Sequence, residues 1–389
     1  MVDEFIFLVD LGLIALAALA ISLLFAKFRM PIAIGQLIAG MALGPFGLAL
    51  IQDVDTINLV SSLGIILLLF VIGLEMDPQQ LRRVGVVATI FATFEVAMAF
   101  LLGLGTGLFL GWELASSLFL AAALSISSTA VIGKGLLGKR NIHGADPHLL
   151  MGILIVEDII AILLLVALPS VAIAGIVSVS ELILFLAKGG LLLSSVTFVG
   201  IFVAPRIIEY VSYYEVEHGE ITFLLALGLG FFFAVVAAAL GFSPAIGAFL
   251  FGLTIRGKWS RFLSEKIGPL KDVFVVFFFV TMGTLVDPSS LTMSTLPILM
   301  LLGVSLMSKF SGGWIASSAF KSPRSKAIMG ILLIPRAEFS LLFAKLGNDL
   351  QLLPAEGYSI IGIVCLGTLL IGSLIQRNLV PVGHVTKKG

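Results

Sequence analysis

The chain has 389 residues, of which 59% are hydrophobic and 12% are charged, and its formal net charge is +0. A typical soluble domain is about 45–50% apolar and about 25% charged. The apolar surplus therefore excludes a purely water-soluble fold and points to the bilayer as the solvent. One cysteine excludes a disulfide framework, and four histidines without a second ligand at helical spacing argue against structural zinc. No cofactor is expected.

Thirteen segments are predicted to cross the bilayer as helices, because a span needs about 20 mostly apolar residues. They lie near 5–25, 31–50, 57–76, 84–109, 113–136, 148–173, 181–207, 220–240, 243–256, 268–286, 294–317, 326–347 and 357–379. The first follows Asp3 and Glu4 rather than a basic leader, which predicts a spanning helix and not a removable signal peptide. With no linker between them, residues 1–389 are predicted to form one transmembrane domain.

Lysine and arginine residues are concentrated in alternate loops. If thirteen helices alternate, the basic loops share one side of the membrane and include Lys27, Arg29, Arg82, Arg83, Lys139, Arg140, Arg256, Lys258, Arg261, Lys321, Lys387 and Lys388. The opposite loops carry Asp53, Asp55, Glu113, Asp287 and Glu356. The positive-inside rule then predicts a multi-pass protein of the plasma (inner) membrane, with its N-terminus outside and its C-terminus in the cytoplasm. No basic face remains for nucleic acid.

Two patterns recur along the chain. Ala33-Ile34-Gly35 with Gly40 reappears as Ala245-Ile246-Gly247 with Gly252, at an offset of 212 residues. Phe70-Val71 with Gly73 reappears as Phe279-Val280 with Gly283, at an offset of 210 residues between the glycines. These matches relate the second predicted helix to the ninth and the third to the tenth. Because each copy is shifted by seven helices, an odd number, the copies have opposite orientations, and the sequence predicts inverted repeats over 31–173 and 243–379, linked by helices near 181–240.

Several charged residues fall inside predicted spans, where an ionised group needs a partner or a water-filled path. They are Glu95, Glu157, Asp158, Lys309, Arg336 and Glu338. Adjacent residues on a helix point about 100° apart, so one of Glu157 and Asp158 can face a cavity while the other faces a neighbouring helix. A carboxylate placed there can hold either a proton or a cation. For Glu157, pairing with Lys309 or Arg336 and a direct part in ion binding are both open.

Two predicted helices contain residues that favour an interruption. The fifth has Ser127, Ser128 and Thr129 where apolar residues are expected, and such hydroxyls can bond free backbone groups and coordinate a dehydrated cation. The twelfth has Pro335, which removes a backbone donor at mid-span. Interrupted helices at matching positions of an inverted repeat are typical of the binding site of a carrier.

These residues resemble those of the cation/proton antiporter superfamily, and most closely its Kef-type (monovalent cation:proton antiporter-2) branch, over nearly the whole chain. The motifs that carry the resemblance are Pro31 to Pro45, Phe70 to Asp77 (FVIGLEMD), Ser127-Ser128-Thr129-Ala130, Glu157-Asp158, Lys309 and Arg336-Ala337-Glu338-Phe339. The resemblance implies the sodium/proton antiporter fold, in a homodimer of thirteen-helix protomers with two broken helices that cross. Each protomer is expected to have a dimerisation domain and a core domain.

The resemblance also implies roles for individual residues. Asp158 matches the ion- and proton-binding aspartate, with Thr129 beside it as a second ligand of the transported cation. Glu157 stands where relatives have Asp, Asn or Gln, and Lys309 matches a lysine that pairs with this position in electrogenic members. Ser127 and Ser128 complete the expected ion-binding set. Arg336 is expected to pair with Glu75 or Glu338 as a scaffold.

The expected function is exchange of Na⁺ or K⁺ for H⁺ by alternating access, in a transporter and not an enzyme. A Kef-like gated potassium efflux channel, a symporter of the same architecture and an intramembrane protease are the alternatives. Many Kef-type members continue into a cytoplasmic nucleotide-binding regulatory domain, whereas this sequence stops at Lys387-Lys388-Gly389. It is therefore expected to be a short or truncated member without that domain, or one with a separate regulatory partner.

Overall fold

The computed structural model describes residues 2–51, 54–76, 78–136, 147–173, 179–214, 219–316 and 323–379. All regular secondary structure in these ranges is helical, as predicted. Several residues on which the predicted topology and motifs rest lie outside the described ranges, namely Asp53, Asp77, Lys139, Arg140, Lys321, Lys387, Lys388 and Gly389.

The helices form a single series along the chain. They are α1 Val2–Lys27, α2 Ile32–Leu43, α3 Val54–Glu75, α4 Pro78–Phe109, α5 Leu114–Ser125, α6 Thr129–Leu136, α7 Pro147–Ile173, α8 Val179–Phe198, α9 Ala204–Tyr214, α10 Glu220–Ala239, α11 Pro244–Thr254, α12 Lys258–Thr284, α13 Ser290–Met293, α14 Thr295–Ala316, α15 Pro323–Leu332, α16 Glu338–Asp349 and α17 Gly357–Leu379. A π-helical turn, Val199–Val203, joins α8 to α9. Four helices begin at a proline, whose missing N–H would be unpaired in a first turn in any case.

Ten of the described helical segments are long and apolar enough to cross a bilayer. Helices α2 and α11 are apolar but have only 12 and 11 residues. Helices α15 and α16, which lie in the region of the twelfth predicted span, have 10 and 12 residues. The all-helical, multi-pass membrane class is therefore confirmed, whereas the count of thirteen spans stays a prediction.

Several predicted spans differ from the helices that occupy them; the span at 268–286, for example, corresponds to α12, which already begins at Lys258. The span at 31–50 corresponds to α2, which already ends at Leu43 because Gly44 adopts an extended conformation. The span at 181–207 corresponds to a longer helical run, from α8 through the π-helical turn to the end of α9 at Tyr214. Lys188 does not interrupt that run, since a long side chain can extend along a helix to bring its charge towards water.

The residues group into two compact units. One contains Met1–Ala15, Ile51–Arg83 and Ile162–Thr281, and the other contains Leu16–Leu50, Val84–Ala161 and Met282–Gly389. In the first unit, α3 packs closely on α11. A Cβ at Gly73 would overlap the backbone of α11 and lie 3.2 Å from the Cα of Gly252, so only glycine permits this approach.

The second unit contains the corresponding contact between α12 and α2. A Cβ at Gly283 would overlap the carbonyl oxygen of Leu37 and lie 3.0 Å from the Cα of Gly40. Gly283 and Gly40 are the repeat counterparts of Gly73 and Gly252. Each copy of the third helix of the repeat thus packs on the second helix of the other copy, and this reciprocity supports the inverted repeat.

A cluster of buried apolar side chains packs several helices of the second unit against each other. It joins α4, α6, α7 and the end of α15 through Ala88, Phe91, Ala92, Ile132, Leu150, Ile153, Leu154, Val156, Ile328, Met329, Leu332 and Leu333. In lipid such packing depends on close van der Waals contact, because lipid tails are as apolar as the side chains. The cluster fixes the first half of α7 against the end of α15.

Both predicted interruptions are present. Helix α5 ends at Ser125 and α6 begins at Thr129, while α15 ends at Leu332 and α16 begins at Glu338. Pro335 lies within the second break and has no N–H to continue a helical ladder. The breaks leave two short stretches of unwound backbone in the second unit.

Candidate ion-binding site

The two stretches of unwound backbone lie against each other. Ser128 N donates to the carbonyl oxygen of Pro335 at 2.7 Å, and Ser127 Oγ donates to the carbonyl oxygen of Leu333 at 2.8 Å. Irregular backbone at membrane depth requires such internal partners. Each break therefore supplies donors or acceptors that the other break needs, and this holds the nearby side chains in place.

Asp158 lies near the middle of α7, and Thr129 orients its carboxylate. Thr129 Oγ1 donates to Asp158 Oδ1 at 2.8 Å. Asp158 as a residue retains 7% exposure, whereas Glu157 has none. Among the described residues, no Lys or Arg side chain forms an ion pair with Asp158. Of the two adjacent acids, Asp158 is thus the accessible one and lacks a built-in countercharge.

Glu157 faces the first break and the lysine of α14. Its Oε2 accepts hydrogen bonds from Ser127 N at 2.7 Å and from Lys309 Nζ at 3.2 Å. The contact expected between Glu157 and Lys309 is therefore present. Within the described part of the chain, the buried Oε1 of Glu157 has no hydrogen-bond partner. The pairing occupies one oxygen and leaves the other open to a proton or a cation.

Lys309 has a second carboxylate partner, Glu95 on α4. Its Nζ donates to Glu95 Oε2 at 2.9 Å, lies 2.8 Å from Glu95 Oε1, and also donates to the carbonyl oxygen of Ser125 at 2.5 Å. An ammonium has three donors, so Glu95, Glu157 and Ser125 account for all of them. Both Lys309 and Glu95 are fully buried. Glu95 was not among the predicted site residues, although its position inside a predicted span was an available signal.

Arg336 has partners other than the predicted Glu75 or Glu338. Its guanidinium donates to three backbone carbonyl oxygens, those of Leu124 at 2.7 Å, Ser305 at 3.0 Å and Ile334 at 3.1 Å. Carbonyl groups at the C-terminal end of a helix lack intrahelical partners and carry its partial negative charge. Arg336 therefore binds carbonyl groups at or just after the ends of α5 and α15 and one in the middle of α14, and it pairs with no carboxylate among the described residues.

The two acids predicted to pair with Arg336 bind neutral donors. Glu338 accepts hydrogen bonds from Ser128 Oγ at 2.7 Å and Ala130 N at 3.1 Å, at the positively polarised start of α6. Glu75, in the first unit, accepts one from Ser264 Oγ at 2.9 Å. The expected scaffold of ion pairs is replaced here by carboxylates that bind N–H and O–H groups.

The hydroxyls predicted to coordinate the ion divide into two groups. Those of Ser127 and Ser128 donate to Leu333 and Glu338, which connects the two breaks to each other. That of Thr129 donates to Asp158. The serines thus have a structural task in this arrangement, and Asp158 with Thr129 is the pair best placed to receive an ion.

Six charged side chains surround the breaks. Four are the carboxylates of Glu95, Glu157, Asp158 and Glu338, and two are the cations Lys309 and Arg336, all of them buried. If all six are ionised, the four carboxylates outnumber the two cations and the group carries two excess negative charges. Uncompensated charge in a low-dielectric region is costly, so this group favours the binding of protons or cations.

Comparison with known proteins places the chain among membrane exchangers. The family described as "Sodium/hydrogen exchanger, transmembrane" matches residues 13–380. YbaL of Escherichia coli K12, whose name assigns it to cation/proton antiport, is 30% identical over 376 residues, which cover 94% of this chain and 65% of YbaL. K(+) efflux antiporter 5 of Arabidopsis thaliana is 26% identical over 377 residues, covering 95% of this chain and 65% of that protein. The chain thus spans 65% of the length of both relatives.

A solved structure shares the fold. The sodium proton antiporter MjNhaP1 of Methanocaldococcus jannaschii superimposes with a TM-score of 0.71 at 18% identity, covering 96% of each chain. The likeness extends over nearly all of both proteins, although their sequences have diverged widely. The family match over residues 13–380, the similarity to named antiporters and the shared fold together show that this chain belongs to the transmembrane sodium/hydrogen exchanger family.

Proposed function

We propose that this chain is a secondary active transporter that exchanges a monovalent cation, Na⁺ or K⁺, for H⁺ across the membrane. The observation that carries the proposal is the Asp158 carboxylate, which is buried in mid-helix, held by Thr129 and without a cationic partner among the described residues. The names of the relatives, a cation/proton antiporter and a K⁺ efflux antiporter, agree with it. So does the name of the sodium proton antiporter that shares the fold.

Asp158 is the shared carrier in this mechanism. A bound proton makes the carboxyl neutral, and a bound Na⁺ or K⁺ compensates its charge. An empty, ionised carboxylate is costly to move through a low-dielectric region. The loaded site therefore changes its access from one side to the other, whereas the empty site does not. Since one carboxylate cannot hold both ions, movement of a cation in one direction is coupled to movement of a proton in the other.

Thr129 and the unwound backbone complete the site. Alkali cations prefer oxygen ligands, and Thr129 Oγ1 lies 2.8 Å from Asp158 Oδ1, so both oxygens can contact one ion. Breaks in helices also free carbonyl oxygens, which can replace water around a dehydrated cation. Glu157 adds negative charge next to Asp158 through its unpartnered Oε1.

The membrane, the orientation and the oligomeric state of the transporter are part of the proposal. The distribution of lysine and arginine supports a plasma (inner) membrane protein with its N-terminus outside and its C-terminus in the cytoplasm. The resemblance to Kef-type antiporters supports a homodimer. The partners are then monovalent cations, protons and the lipid bilayer.

Proton flux in proteoliposomes tests the function. The vesicles are acid-loaded and carry an internal pH dye, and Na⁺ or K⁺ is added outside to wild type, Asp158→Asn and the control Glu113→Gln. Glu113 is exposed, and its side chain makes no hydrogen bond at the start of α5. Antiport predicts that the internal pH rises with the transported cation in wild type and control, and that it does not rise in Asp158→Asn.

Other outcomes would favour the alternatives. A fall in internal pH on addition of the cation would indicate symport. Entry of labelled Na⁺ or K⁺ without any obligatory pH change would indicate a channel, and flux far above carrier rates would strengthen that conclusion. Normal exchange in Asp158→Asn would remove Asp158 from the centre of the mechanism while leaving antiport intact.

A further inference from the structure

We propose that Glu95 is a positioning residue of the transport site, which takes up the charge of Lys309 and thereby leaves Glu157 as a second negative charge beside Asp158. This inference rests on the proposed antiport function and adds a residue to it. The resemblance implies a simple pair between Lys309 and position 157. The structure instead shows Lys309 shared between two carboxylates, and the sharing is unequal.

The distances assign Lys309 mainly to Glu95. Its Nζ lies 2.8 Å from Oε1 and 2.9 Å from Oε2 of Glu95, so it contacts both oxygens of that carboxylate. It contacts only one oxygen of Glu157, at 3.2 Å. Shorter charge-assisted contacts are the stronger ones. Lys309 therefore compensates Glu95 more completely than Glu157.

The helix that carries Lys309 also allows Glu95 to approach closely. A Cβ at Gly312, one helical turn after Lys309 on α14, would lie 3.1 Å from Glu95 Cγ. Glycine at this position gives the carboxylate stem room to approach α14. Glu95 also has no exposed surface, so its effect on the transport site passes through the buried groups beside it, Lys309 and Glu157.

Because Lys309 lies closer to Glu95, the carboxylate of Glu157 is only partly compensated. Its Oε2 is occupied by Ser127 N and Lys309, while its buried Oε1 has no partner among the described residues. A buried carboxylate oxygen without a donor is costly unless an ion or proton completes it. If all three are ionised, Glu95, Glu157 and Lys309 together carry one negative charge. That charge lies next to Asp158 in the chain and strengthens the attraction of the site for a cation.

Neutralising Glu95 tests this inference. In Glu95→Gln, Lys309 has only Glu157 to pair with, and the three side chains become neutral together. The apparent KM for Na⁺ or K⁺ at fixed pH is expected to rise about tenfold, because a unit charge acts strongly over several ångströms at low dielectric. The kcat is expected to stay within about twofold of wild type. Glu95→Asp keeps the charge on a shorter stem and is expected to raise KM less.

A double variant separates positioning from simple structural damage. Glu95→Gln/Lys309→Gln restores one net negative charge at Glu157 and leaves no unpaired buried ammonium. Its KM is expected to return to within about threefold of the wild-type value, whereas a merely structural effect would be at least as large as in the single variant. Glu113→Gln, an exposed acid in the same unit, is the control. Thermal melting in detergent reports whether each variant is folded.

Three results would overturn the inference. They are an unchanged KM in Glu95→Gln, a loss confined to kcat, and a double variant with a KM as high as that of the single. If Glu95→Gln does not fold, the test uses the other two variants. The inference then requires a raised KM in Glu95→Asp and a KM within about threefold of wild type in the double variant. Wild-type protein without any cation-driven proton flux would instead refute the proposed antiport function, so the two failures are distinguishable.

Discussion

The amide nitrogen of Ser128 and the carbonyl oxygen of Pro335 lie 2.7 Å apart, and this hydrogen bond joins the breaks of two different helices. The proline ends one helical ladder, and the serine amide precedes the first turn of α6. Each group would otherwise be an unpaired polar group at membrane depth. The bond therefore stabilises the irregular backbone of both breaks. Beside it, Arg336 donates to a carbonyl group near the end of α5, and Glu338 accepts hydrogen bonds at the start of α6.

Competition between protons and cations is the first expected consequence of a shared Asp158 carboxylate. The apparent KM for the transported cation is expected to increase at least about threefold when the pH falls from about 8.5 to about 6.5, because protonated Asp158 cannot bind the cation. Exchange rates at saturating cation are expected to change less. Initial rates of dye-reported proton flux over a matrix of pH and cation concentration measure this. A KM that does not depend on pH would indicate separate sites.

The Thr129 hydroxyl is expected to contribute to cation binding through its bond to Asp158 Oδ1, at 2.8 Å. Thr129→Val keeps the branched shape and removes the donor. A hydrogen bond to a charged group contributes about 1.5–3 kcal/mol, so the KM for the cation is expected to rise about tenfold or more. Thr129→Ser retains the hydroxyl and serves as the matched control, with a KM within about threefold of wild type. Equal KM values for the two variants would contradict this role.

Arg336 is expected to contribute to stability through its three carbonyl contacts. In Arg336→Lys the charge remains, but a single ammonium cannot reproduce the planar fork that reaches Leu124, Ser305 and Ile334. An unsatisfied buried polar group costs about 1–3 kcal/mol, so a clear decrease in melting temperature in detergent is expected. Lys345→Gln is the control, because Lys345 pairs with half-exposed Asp349 and such pairs contribute little. Equal melting of both variants would show that the carbonyl contacts are dispensable.

Gly283 is expected to tolerate no side chain, because a Cβ there would overlap the carbonyl oxygen of Leu37 on α2. Gly283→Ala is expected to destabilise the protein by about 1–3 kcal/mol, the usual range for overpacking. Gly105→Ala, on α4, is the matched control, since no atom lies within 4 Å of a Cβ at that position. The control is expected to be neutral or slightly stabilising, because alanine favours helix over glycine. Melting temperatures measure both, and similar losses in the two variants would refute the argument from packing.

Features that depend on local pattern could be predicted from the sequence. Apolar length and scarce charge indicated membrane helices, and a proline with a hydroxyl-rich stretch indicated the two breaks, which the structure places at 126–128 and 333–337. The contacts between Thr129 and Asp158, and between Glu157 and Lys309, were expected only through the resemblance to a known family. No periodicity within the chain relates residues on different helices.

The partners of the other charged groups could not be predicted in the same way. Arg336 was expected to bind a carboxylate, yet it binds three backbone carbonyl groups, and any residue type can supply these. Glu338 was assigned to Arg336 and binds Ser128 and Ala130. Glu95 was visible as a charge inside a span, but only the packing of α4 against α14 brings it to Lys309.

Membrane class, the approximate positions of the long apolar helices and the two interruptions thus follow from the amino-acid sequence, because they depend on the solvent that each segment can tolerate and on whether its backbone can continue a helix. Tertiary structure determined which charges meet. A buried ion chooses among all the side chains and backbone groups that packing brings within about 3 Å, and helices distant in sequence supply most of them. For this reason Asp158 could be predicted as the ion-binding carboxylate from the sequence and its resemblance to a family, whereas the arrangement of Glu95, Lys309 and Glu157 beside it could not.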